Sequence, residues 1–123
     1  MSVSFDAGAP IYVQIAERFI RDIARGARQP GEKVAPVREL ALSMGVNPNT
    51  MQRALAELER EGLLHSERTS GRYVTADAGL IQSLRQNMAR NTALGYVETL
   101  RALNYGREDI LTLTRYALGK EES

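Results

Sequence analysis

Between Asn47 and Arg53 the chain sets Asn47, Asn49, Thr50, Gln52 and Arg53 close together, with no carboxylate among them. These side-chain types read duplex DNA. Asn and Gln form paired hydrogen bonds with adenine N6 and N7, and Thr bonds a base edge or packs on a thymine methyl. Arg reaches a base or a phosphate. On a helix, Asn49 and Thr50 lie four and three positions before Arg53 and share its side, with Gln52 beside them. Asn49 and Gln52 are expected to read bases, and Arg53 to reach a base or a phosphate. Asn47 is expected first as the cap of that helix and second as a DNA contact. Arg38 upstream is placed to clamp a phosphate, with Lys33 on the loop before it. Downstream, Arg68, Gly71 and Arg72 would meet the backbone or the minor groove. Gly71 has no side chain to keep the backbone away.

Other chemistries lack their residues. The 123 residues hold one His and no Cys, so disulfides, thiolate metal sites and cysteine catalysis are excluded. No glycine-rich phosphate loop and no convergent carboxylates are present, and neither enzyme, metal site nor cofactor is expected. Glu57, Glu59 and Glu61 read as a solvated acidic run at the far end of the reading helix, away from DNA. His65 reads as a strand residue. The net charge is only +1, so DNA binding must rest on placement rather than on a broad positive field. No stretch pairs cations with stacking rings, which argues against single-strand binding. No apolar run approaches the roughly 18 residues of a membrane span, and no signal peptide is visible at the N-terminus. A cytoplasmic protein that avoids membranes is expected.

The elements that must position these residues follow from periodicity. Pro10 opens a helix whose apolar face is Ile11, Ile15, Phe19 and Ile23, and Gly26 ends it. A second, short helix starts at Pro36, buries Val37, Leu40, Ala41 and Met44, and stops at Gly45. The third begins with Asn47 as N-cap and Pro48 at the first helical position. It turns Met51, Ala54, Leu55 and Leu58 inward. Two helices joined by a short glycine-containing turn have helix-turn-helix spacing. The segments 63–66 and 72–75 read as strands around a polar hairpin tip, Glu67 to Gly71. A helix-turn-helix followed by a hairpin is a winged helix. Ala76 to Gly79 reads as a hinge. A long helix to Ala102, a break at Asn104-Tyr105-Gly106 and a last helix follow, with a frayed tail from Gly119. The expected fold is mainly α with a small β wing: a winged helix-turn-helix over residues 1–75 and a two-helix dimerisation tail over 76–123.

Several runs carry a family resemblance. Pro10-Ile11-Tyr12-x-Gln14-Ile15-Ala16, Pro30-Gly31-Glu32-Lys33-Val34 and Val37-Arg38-Glu39-Leu40-Ala41 resemble the GntR family of bacterial transcription regulators. Val46-Asn47-Pro48-Asn49-Thr50, with Ala54-Leu55-x-x-Leu58-Glu59-x-Glu61-Gly62, resembles its YtrA-like subfamily. The resemblance is dense from Ala9 to Thr75. It implies a homodimeric repressor of a nearby operon, often one encoding an ABC transporter, with a short helical tail pairing the subunits. Two departures stand out. Ala35-Pro36 occupies the place of the family's usual Pro-Ser, so the serine's cap and phosphate contact are not carried over. Some relatives place Arg early in the reading helix, where this chain has Asn, Thr and Gln.

Tyr12 and Gln14 read as packing and capping residues. Leu80, Leu84, Met88, Val97 and Leu100 are the expected dimer seam, because a long helix apolar on one side needs a partner. A two-fold dimer implies a pseudo-palindromic operator on double-stranded DNA. An unidentified small-molecule effector, where one acts, is expected at the dimer interface, because the tail is too short for a pocket of its own. The competing reading is a winged-helix protein–protein interaction module. The polar start of the third helix favours DNA, since a protein-binding face would carry apolar anchors there.

Overall fold

The computed structural model describes residues 4–122. In chain order the elements are α1 (Ile11–Ala24), β1 (Lys33–Val34), α2 (Val37–Met44), α3 (Pro48–Arg60), β2 (Leu64–Glu67), β3 (Gly71–Val74), α4 (Ala78–Ala102) and α5 (Arg107–Glu122). They fall into two compact units, one ending at Arg85 and one beginning at Gln86.

In the first unit the fourfold spacing of α1 buries Ile15, Phe19 and Ile23. Ile11, expected on the same face, lies at the open end of the stripe and is 45% exposed. α3 buries Met51, Ala54, Leu55 and Leu58, and packs on both α1 and α2. These side chains join Val34, Leu40, Leu63, Leu64 and Val74 in one core. Each fully buried Leu, Ile or Phe contributes roughly 1.5–3 kcal/mol. The three helices are thereby held rigidly enough to fix the free face of α3.

Helix starts follow the local chemistry with one change. Pro48 is the first residue of α3, behind the Asn47 cap. Pro10 and Pro36 instead stand one step outside α1 and α2, with extended ψ of 145° and 152° and no side-chain cap. Gly45 closes α2 at φ +69°, a left-handed turn that costs a residue with a Cβ.

The sheet has one strand more than the expected hairpin, in the order β1-β3-β2, antiparallel throughout. β1 spans only Lys33 and Val34, too short for any periodicity to reveal. Lys33 therefore sits beside Tyr73 in the sheet rather than on a free loop. In the wing, Leu64 faces Val74, Ser66 faces Arg72 and Glu67 faces Gly71.

The expected hinge at 76–79 is a capped helix start. The Leu80 N–H donates to Asp77 Oδ1 at 3.1 Å, and the Asp77 N–H donates to Thr75 Oγ1. This short connection leads into the first turns of α4, which belong to the winged unit. Ile81 is buried in the core, with Leu80 and Leu84 half-buried against it. Leu80 and Leu84, expected in a seam with another chain, thus find partners in their own.

In the second unit Ile110 is buried, and Met88, Val97 and Leu100 are half-buried. The Tyr96 hydroxyl and Thr114 Oγ1 share a hydrogen bond at 2.9 Å. Asn104 takes the left-handed conformation, φ +69°, at the break between helices. The segment expected to fray from Gly119 continues as helix to Glu122.

Candidate nucleic-acid interface

The turn before α3 is built so that the helix starts in the open. Val46 N–H returns to the Ala41 carbonyl at 2.9 Å, and Asn47 Oδ1 accepts the Asn49 N–H at 2.7 Å. Asn47 is thereby a cap, as its type and position suggested. Beyond it Asn49, Gln52 and Arg53 are exposed and Thr50 is half-buried. The opposite face of α3 is the buried one, so burial alone fixes which side chains face outward.

Arg53 is not free-swinging. Its guanidinium carbon lies 3.9 Å above the centre of the Tyr12 ring of α1. Such cation–π contacts hold an arginine by about 0.5–1 kcal/mol at exposed sites. Tyr12, expected only to pack, is thus a platform for the Arg53 guanidinium. Nothing along the chain could connect residues so far apart, and only the packing of α1 on α3 brings them together. Gln14 acts elsewhere. Its side-chain amide bonds the Asp6 backbone at 2.7 and 2.8 Å and the Ala9 carbonyl at 2.8 Å. It staples the segment before α1 to that helix.

Arg38 stands exposed in the first turn of α2, where Pro36 supplies no side-chain cap. Among the described residues it has no ion pair. Arg68 is likewise exposed and unpaired, at the wing tip between β2 and β3. Lys33 belongs with the wing: its Cε lies 3.4 Å from where a Cβ on Gly71 would stand. Gly71 itself has φ +114°, a conformation that disfavours any side chain at that position.

Arg72 and Glu59 depart most from expectation. Arg72 Nε donates to Glu59 Oε1 at 2.6 Å, and the Ser66 hydroxyl donates to the same oxygen. Glu59 is therefore no solvated charge, and Arg72 is engaged within the fold. The Ser66 hydroxyl, and after it the Arg72 guanidinium, hold the Glu59 carboxyl below the ordinary glutamate range, against the opposing pull of burial. The remaining acids of the run differ: Glu57 pairs with Arg60 at 2.8 Å, and Glu61 is exposed. His65 stands on β2, stacked on Tyr73, with Nε2 3.3 Å from Glu67 Oε1. Among the described residues no cluster of His, Asp or Glu could hold a metal ion, and no helix is long and apolar enough to cross a membrane.

A helix-turn-helix backed by a three-stranded wing, with polar side chains exposed on the first turns of its second helix, defines a winged-helix DNA-binding domain. Comparison with known proteins agrees. Residues 11–74 match the model of the bacterial regulatory proteins of the gntR family. The chain is 33% identical over 111 residues to the HTH-type transcriptional regulator YhcF of Bacillus subtilis, covering 90% of this chain and 92% of YhcF. It is 40% identical over 72 residues to the HTH-type transcriptional repressor YtrA of Bacillus subtilis, covering 58% of this chain and 55% of YtrA. The structure of a GntR family transcriptional regulator from Listeria monocytogenes superposes with a TM-score of 0.84 at 34% identity, over 91% of this chain and 98% of that one. The AraR DNA-binding domain in complex with operator ORX1 superposes at 0.56 and 29% identity, over 61% of this chain and 96% of that one.

The chain belongs to the GntR family, in its YtrA-like branch, and is a DNA-binding transcription regulator.

Proposed function

We propose that the protein is a cytoplasmic homodimeric repressor that lays α3 in the major groove of a pseudo-palindromic operator. The exposed first turns of α3 carry this reading: Asn49, Gln52 and Arg53 face outward while Met51, Leu55 and Leu58 lock the other side into the core. Asn49 and Gln52 read bases, Thr50 packs on a base edge, and Arg53 reaches a base or phosphate from its platform on Tyr12. Arg38 clamps a phosphate at the α2 N-terminus, where the helix dipole also favours negative charge. Lys33 and Arg68 meet the backbone beside the wing, where Gly71 lets the strand approach closely.

Pairing of subunits is supported by the second unit, which leaves Leu94, Leu103, Leu111, Tyr116 and Leu118 exposed. Large apolar side chains left exposed on α4, α5 and the turn between them favour burial against a second copy. Of the expected seam, Leu80 and Leu84 are half-buried against the winged core, and Met88, Val97 and Leu100 are half-buried in the second unit. Repression is supported by YtrA being named a repressor. A neighbouring operon for an ABC transporter is the target class that the family resemblance suggests, and a small-molecule effector would lodge between subunits. Light scattering on the full chain at micromolar concentration tests the assembly. The expected mass is twice the chain's 13.6 kDa. A mass of one chain refutes the dimer.

A further inference from the structure

The Glu59 carboxylate lies on α3 but reaches the wing. One of its oxygens takes the Ser66 hydroxyl from β2 and the Arg72 Nε from β3, the latter at 2.6 Å. Ser66 and Arg72 face each other across the hairpin, so a single oxygen gathers both wing strands. The side chains of Arg72 and Glu59 are only 19% and 30% exposed, which protects the pair from the screening that weakens surface ion pairs. Its geometry is that of a short, charge-assisted hydrogen bond. Glu59 stands on the same rigid helix as Asn49 and Gln52. We propose that Glu59 is a positioning residue that sets the wing against the reading helix, and that Arg72 serves as its anchor in the wing rather than as a phosphate contact. Glu59 thus governs DNA affinity without touching DNA. This inference rests on the DNA-binding reading above.

Two consequences separate it from a merely structural role. First, losing Glu59 both loosens the wing and frees one cation. Binding to a matched duplex weakens, while binding to random duplex becomes more salt-dependent. Second, Glu59 and Arg72 act as one unit, so removing both costs less than the sum of the two single losses.

The test uses the full chain, a duplex recovered by in vitro selection from random DNA, and a random-sequence duplex of equal length. Glu59→Ala, Arg72→Ala, the double variant, Glu59→Gln and Ser66→Ala are titrated over a salt series, after circular dichroism confirms that each is folded. Glu59→Ala is expected to lose about tenfold on the selected duplex, the scale of one charge-assisted hydrogen bond. Its salt slope on random duplex is expected to steepen by about 0.9, one added phosphate contact. The double variant loses less than the two single losses combined, and Glu59→Gln, which keeps the acceptor oxygen, recovers part of the loss. Ser66→Ala removes a single hydroxyl and carries the test if Glu59→Ala does not fold, with a loss of about threefold expected on the selected duplex. Unchanged matched-to-random ratios in Glu59→Ala and Ser66→Ala overturn the inference. So does an Arg72→Ala variant with a slope shallower by about 0.9, the mark of a direct phosphate contact. A wild-type chain that selects no duplex refutes the DNA-binding reading itself.

Discussion

Asn47 caps α3 at the end proposed to enter the groove, so that stability and DNA binding can be separated there by substitution. Its side-chain oxygen accepts the Asn49 N–H at 2.7 Å, satisfying one of the open donors at the start of α3. Asn47→Ala deletes that bond. Pro48 still presets the first helical residue, so the loss is confined to the cap, about 1 kcal/mol. For a chain of this size that lowers the thermal midpoint by about 4 °C. Asn47→Asp keeps an acceptor in the same place and adds a negative charge at the positive end of the helix, worth about 0.3–1 kcal/mol. Its stability is therefore expected at or above wild type. In front of DNA the same charge repels phosphates, so binding falls on every sequence and the salt slope flattens by about one. Urea unfolding followed by circular dichroism at one fixed protein concentration, paired with fluorescence anisotropy on labelled duplex, measures both quantities. If Asn47→Asp is as destabilised as Asn47→Ala, the cap assignment fails. If Asn47→Asp binds DNA as wild type does over the salt series, the α3 N-terminus does not face the duplex.

Other perturbations address separate parts of the molecule. Arg38→Ala is expected to weaken binding to all sequences and to lower the salt slope by about one, read by anisotropy at several salt concentrations; a loss confined to one base pair of the operator contradicts the phosphate assignment. Tyr12→Leu keeps an apolar contact but removes the ring beneath Arg53. It should cost about 0.5–1 kcal/mol of DNA affinity and leave the urea midpoint nearly unchanged. Glu59 gives a pH dependence of known sign. Its folded pKa is depressed, so its contribution is complete above the ordinary value of 4.5 and is lost as pH falls through the lower folded value. The stability gap between wild type and Glu59→Gln is therefore expected to be full at pH 7 and to close in more acid solution, measured by urea midpoints at each pH.

What could be read from the chain alone follows a physical divide. The helix-turn-helix was legible because its signals are local. The fourfold stripe of α1, Gly45 after α2 and Asn47-Pro48 before α3 each act within a turn of helix. The outward set Asn49, Gln52 and Arg53 followed from the inward set by periodicity. What was hidden is contact across distance. Tyr12 under Arg53 depends on helix packing, and the joining of Glu59 to Ser66 and Arg72 depends on how the hairpin folds back on α3. β1 is two residues long, below the reach of any pattern. The packing of Leu80 and Leu84 on their own core was not legible either, because an apolar stripe shows that a face is covered, without showing by what. Here that stripe packs on the core of its own unit.

Exposed side chains on the first turns of α3 are proposed to read a duplex sequence, in two copies. In vitro selection of random duplex DNA by the full chain, sequenced after several rounds, tests it most directly. The expected result is enrichment of two inverted half-sites about one helical turn apart or somewhat more. Asn49→Ala is expected to relax preference at one position of each half-site, by about 1–3 kcal/mol. No enrichment over input, or an Asn49→Ala profile identical to wild type, would contradict it.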